Sequence, residues 1–142
     1  MSRFPYFSAA ELACRCGDCT LGEDDMDPRF MRRVIDLRKK CDFPFVVTSA
    51  IRCPAHNAVV SSTGLSGPHT PISVGNGSPE TGHAMDIRVQ GHSAFKLLSL
   101  ARQYGITGIG AQQRGRHESR FCHLDDLPEA PGRPREWLWT YP

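Results

Sequence analysis

Apolar residues in this chain fall into two helix-like stretches and several short strand-like runs, in no regular alternation. That order points to an α+β fold with a small antiparallel sheet flanked by helices. The longer helical stretch is 28–41. There Phe30, Val34, Leu37 and Cys41 recur at helical spacing, behind Asp27 as cap and Pro28 in the first turn. The second is 93–104, closed by Gly105. Ser8-Ala-Ala-Glu11 has the form of a capping box and opens a short helix, and Pro54 can start another. The strand-like runs are 45–48, 84–89, 106–110 and 120–124. Residues 61–82 are rich in Ser, Gly, Pro and Thr, and an irregular stretch of that length inside a compact domain is usually functional or mobile. We expect residues 1–142 to form a single domain, since this length suits one hydrophobic core.

Charge narrows the class of partner. Seventeen basic residues against fifteen acidic ones leave a net +2, too balanced to argue for nucleic acid. No apolar run reaches the roughly 18 residues of a membrane span. The opening Met-Ser-Arg-Phe-Pro-Tyr-Phe lacks a charged segment followed by an apolar stretch, so no signal peptide is read there. The expected location is the cytoplasm of the producing cell, and the expected state is a monomer.

Two ionisable residues sit where they need a reason. Asp86 and His123 each lie inside a short apolar strand, and a buried charge or imidazole is costly unless partnered. One reading is a metal site: catalytic zinc takes about three His and Asp/Glu ligands and leaves a position for water. The other is an ion-paired Asp and a hydrogen-bonded His. The cysteines add a second question. Cys14, Cys16 and Cys19 form a tight cluster, read either as a structural metal site completed by Cys53 or Cys41, or as reduced thiols or a disulfide.

Four segments in order carry a resemblance. They are Ser49-Ala-Ile-Arg52-Cys-Pro-Ala-His-Asn57, Ser66-Gly-Pro-His69-Thr70, Gly82-His-Ala84-Met-Asp86-Ile87 and Arg120-Phe-Cys-His123-Leu-Asp125. Together with Phe7-Ser, Glu11 and Cys14 near the start and Arg133-Pro, Trp137 and Tyr141 near the end, they resemble the zinc D-Ala-D-Ala carboxypeptidase family. That family includes phage L-alanyl-D-glutamate endopeptidases. The resemblance implies zinc as cofactor, bound by His69, Asp86 and His123, and peptidoglycan stem peptides as substrate. It implies an endolysin-like endopeptidase of a bacteriophage, cutting cell-wall peptides after release from the producing cell. The alternatives are a carboxypeptidase acting on free D-Ala-D-Ala termini, and a non-catalytic metal- or wall-binding module of a virion.

The chain departs from the family pattern twice. The pattern places the first His three residues before Gly82, but position 79 is Pro. His69 and His83 are the two candidates. Strand alternation favours His69, because Gly82, Ala84 and Asp86 share a face that His83 does not. His69 then fits if residues 71–80 are an inserted surface loop, which near the metal would act as a lid. The family often has its general base three residues before the last His, and here that residue is Arg120. Glu118 is the nearest carboxylate upstream and the candidate catalytic base, while Asp125 shares strand parity with His123 and is placed to orient it. Arg52 matches the family's Ser-x-x-Arg position and is a candidate catalytic and substrate-binding residue, with Asn57 positioning the same segment.

Overall fold

The helices expected behind Ser8 and Asp27 begin where their caps predict, whereas the helix expected over 93–104 runs Gly91–Ala101 and the strand expected over 106–110 runs Gly108–Gln112. The computed structural model describes residues 2–142. In chain order the elements are α1 (Ala9–Leu12), α2 (Pro28–Cys41), β1 (Val46–Ser49), α3 (Pro54–Val60), β2 (Ala84–Arg88), α4 (Gly91–Ala101), β3 (Gly108–Gln112), β4 (Phe121–Asp125) and β5 (Trp137–Thr140). Ser8 and Glu11 form the reciprocal capping box of α1. The Asp27 carboxylate accepts from the Phe30 N–H at 2.9 Å and so caps α2. Three basic residues, Arg38, Lys39 and Lys40, occupy the last turn of α2, where the helix dipole favours positive charge. No helix among the described residues is long and apolar enough to cross a membrane.

The sheet has five strands in the order β1-β2-β4-β3-β5. The first four pair antiparallel, but β5 runs parallel to β3. The expected antiparallel sheet is therefore corrected to a mixed one. The cause lies in the link after β4. Residues 126–136 pass the start of β3, held by the Thr107 hydroxyl donating to the Leu127 carbonyl at 2.7 Å and the Trp137 N–H donating to the Thr107 carbonyl at 2.9 Å. The chain so enters the far edge of β3 from the end at which β3 itself begins, and can only run alongside it.

Period-two alternation gives the sheet two unlike faces. Met85 and Ile87 of β2 and Cys122 and Leu124 of β4 join Phe30, Met31, Val34 and Leu37 of α2 and Leu97 of α4 in one apolar core, each buried. The intervening residues, Asp86, His123 and Asp125, belong to the other face and are buried as well. The antiparallel register sets Asp86 directly opposite His123 on adjacent central strands. A rigid two-strand platform thus presents two candidate ligands side by side.

Candidate metal centre

His69 joins that platform from the loop after α3. Its Nδ1–H donates to the Ala50 carbonyl at 2.6 Å, and the Arg52 N–H donates to the His69 carbonyl at 2.8 Å, so the loop is tied to the end of β1 on both sides of the ring. With Nδ1 engaged, Nε2 is left to face inward. It lies 3.2 Å from Asp86 Oδ1 and 3.2 Å from His123 Nδ1. His123 Nδ1 is also 3.2 Å from Asp86 Oδ1. The three atoms form an equilateral triangle.

The far side of each imidazole decides what that triangle can do. His123 Nε2–H donates to Asp125 Oδ2 at 2.8 Å. Asp125 is in turn gripped by Arg135, whose Nε and Nη2 donate to its two carboxylate oxygens at 2.9 and 2.8 Å. Both rings therefore spend one nitrogen on an outer partner and turn a lone pair toward Asp86, the arrangement that orients histidine ligands for a metal. Tetrahedral zinc with ligand bonds of 2.0–2.1 Å separates neighbouring ligand atoms by about 3.3 Å. The donor set and its spacing fit such an ion.

The charges agree. Burial works against ionised Asp86, yet the His69 and His123 rings hold its carboxyl well below the usual carboxylate range. Burial alone would lower His123, but the Asp125 and Asp86 carboxylates on either side of its ring raise it to about 9. Burial leaves His69 lowered. Asp125, despite its burial, is held down at about 2 by His123 and Arg135. These shifts keep Asp86 an anion between the two imidazoles, with Asp125 a second anion behind His123.

Around this centre lies a groove of about 550 Å³, whose wall includes Arg52, Asn57, Phe121, Trp139 and Tyr141 beside the three cluster residues. Arg52 donates to Ser49 Oγ at 2.9 Å, Asn57 Oδ1 at 3.0 Å and Asp86 Oδ2 at 3.2 Å. Its guanidinium has five N–H groups, so two are left for something in the groove. Asn57 is fully used, its amide donating to Thr63 Oγ1 and the Gly64 carbonyl at 2.8 and 2.7 Å. It positions Arg52 rather than reaching outward.

The family model for peptidase M15 matches residues 5–125. This chain belongs to the peptidase M15 family. M15 peptidases are hydrolases of peptide bonds and are generally zinc-dependent. No curated protein and no solved structure matches the chain.

The other residues singled out from the sequence of this M15 peptidase take separate places. His83 does not reach the centre. Its Nδ1 bonds Asp126 Oδ1 at 2.8 Å and its Nε2 contacts Thr81 Oγ1 at 3.1 Å. Glu118 lies on an exposed 3-10 turn, His117–Ser119, where it accepts from Arg116 Nε at 2.8 Å, and it is not part of the groove wall. Residues 71–80 form a loop bridged by Ile72 and Thr81. Its Val74, Ser78 and Pro79 border a different and larger hollow of about 740 Å³, beside Asp27 and His83. The groove that holds the cluster is the smaller one, and the chemistry rather than the volume marks it as the site.

Arg135 was not named as a site residue from the sequence. Its only signal there is an arginine next to Pro134 in a tail holding both tryptophans. Trp139 packs against both His123 and Arg135, its ring centroid 5.0 Å from that of His123 at a tilt of 49° and 5.3 Å from the Arg135 guanidinium carbon. Arg135, Trp139 and Tyr141 all lie beyond the residues matched by the family model.

Proposed function

We propose that this M15 peptidase is a zinc endopeptidase of bacterial peptidoglycan, acting on the peptide stems or cross-links in the manner of a phage endolysin. The observation that carries the reading is the convergence of His69 Nε2, His123 Nδ1 and Asp86 Oδ1, with both ring tautomers fixed from behind. These three residues would hold the ion. Zinc bound there supplies a water of lowered pKa and polarises the scissile carbonyl. Arg52 directs its two unused N–H groups to a carbonyl or carboxylate of the peptide, with Asn57 and Ser49 fixing its angle. Burial raises the Tyr141 phenol to about 12, which leaves its hydroxyl as a donor for a peptide in the groove. Among the described residues Asp86 supplies the side-chain carboxylate of the groove wall, and its oxygens face His69, His123 and Arg52.

Arg52 favours a second reading. A guanidinium with two free donors beside the centre also suits a C-terminal carboxylate, as in a carboxypeptidase taking free D-Ala-D-Ala ends. Purified peptidoglycan and a soluble stem pentapeptide separate the two. Release of new amino groups from intact wall, abolished by chelator and restored by zinc, supports the endopeptidase. Release of D-Ala from the pentapeptide alone supports the carboxypeptidase. Zinc binding with neither activity would leave a metal-binding module and sink both.

A further inference from the structure

Ala13 to Asp25 is a stretch of chain with no buried side chain, lying between the buried Leu12 and Met26. It has no helix or strand apart from a single 3-10 turn, Glu23–Asp25. Hydrophobic packing holds it through the half-buried Leu21, which touches the core. It also carries Cys14, Cys16 and Cys19. The structure folds them onto Cys53, the residue that caps α3 directly after Arg52, so that the four Sγ atoms all lie within 4.8 Å of one another.

We propose that Cys14, Cys16, Cys19 and Cys53 bind a second zinc ion, structural in role and separate from the His69–Asp86–His123 centre. Tetrahedral zinc with Zn–S bonds of about 2.3 Å spaces its sulfurs at about 3.8 Å, so the four need only a small contraction to enclose it. The backbone is arranged for thiolates. The Asp18 N–H donates to Cys16 Sγ at 3.3 Å, the Cys53 N–H to Cys14 Sγ at 3.4 Å and the His56 N–H to Cys53 Sγ at 3.4 Å. Such bonds favour the ionised sulfur that metals take. Gly17 adopts φ +78° between Cys16 and Cys19, turning the chain so that both sulfurs face the same point. The Cys14 N–H donates to the Leu21 carbonyl at 3.0 Å and closes the loop behind them.

Sulfur-only ligation selects a soft borderline cation such as zinc over calcium or magnesium. A four-cysteine set leaves no coordination position open, which marks a structural site. The ion would cross-link the 13–25 segment to the start of α3 and so fix the backbone that carries Arg52. The other pair of cysteines, Cys41 and Cys122, is buried in the core and takes no part. All six are free thiols in this structure.

The test uses the full chain, purified reduced and loaded with zinc or, in parallel, with cobalt(II). Elemental analysis should give two zinc ions per chain. The cobalt form should show thiolate-to-cobalt charge-transfer absorption, which the His69–Asp86–His123 centre has no sulfur to produce. His69→Ala should bind one zinc and, cobalt-loaded, keep the absorption; the double variant Cys16→Ser, Cys19→Ser should bind one zinc and lose it. An intact cobalt-loaded protein without this absorption overturns the proposal, whether or not wall hydrolysis is found. So does a thiol titration of the protein, purified and denatured without reductant, that finds Cys14, Cys16, Cys19 and Cys53 paired in disulfides.

Discussion

At the level of single residues, the centre depends as much on what stands behind the histidines as on the histidines. Asp125→Asn keeps the size of the side chain but weakens the anchor of His123 Nε2. Losing such a partner typically costs about 10–100-fold in metal affinity. Competition with a chromogenic chelator should show that loss; unchanged zinc affinity would mean Asp125 does not tune the ligand. Arg135→Met should destabilise the fold by on the order of 3 kcal/mol, because it strips a buried partner from Asp125, which is itself fully buried. Urea unfolding reads this directly. Glu118→Gln should leave turnover within about twofold, since an exposed pair with Arg116 contributes little. A large drop in kcat for that variant would return Glu118 to the role of base. His123 and Asp86 stand out in the sequence because charged residues inside apolar strands need partners. His69 is visible only through the resemblance, as it lies 17 positions before Asp86 across loop and strand. Arg135 is not visible at all, because no local pattern says where an arginine in irregular chain will point.

Among the elements, legibility follows how far each depends on its neighbours. Helix α2 runs Pro28–Cys41, the span expected, because Asp27 and Pro28 start it by local chemistry and its apolar stripe is strictly periodic. Strands β2 and β4 are short apolar runs and lie within a residue of their expected places. Strand β5 carries no such signature. Trp137-Leu-Trp-Thr140 has no buried residue, and only pairing with β3 makes it a strand. That pairing depends on Gly110. A Cβ there would sit 2.6 Å from Trp139 Nε1 and 2.8 Å from the Tyr141 hydroxyl. Gly110→Ala should therefore push β5 outward at a cost of about 1–3 kcal/mol and move Trp139 off His123. Thermal unfolding and tryptophan fluorescence would register both effects; an unchanged melting point and spectrum would show that β5 has slack to give.

For the molecule as a whole, the unequal hold on the five strands matters more than their number. β4 is paired on both sides and packed beneath α2 and α4, whereas β5 is bonded along one edge and exposes Trp137 and Leu138. Elements so unequally anchored exchange with solvent at different free energies. Amide deuteration should reach the β5 pairings well before those between β2 and β4, and equal protection of the two would refute the idea. Heat should then act in two stages. Catalysis should fade at temperatures where the helical circular dichroism is still intact, because the frayed edge carries away Trp139 and Tyr141 while the core beneath α2 holds. A sample that has lost its activity would still be folded, and on cooling it would need only to zip one strand back.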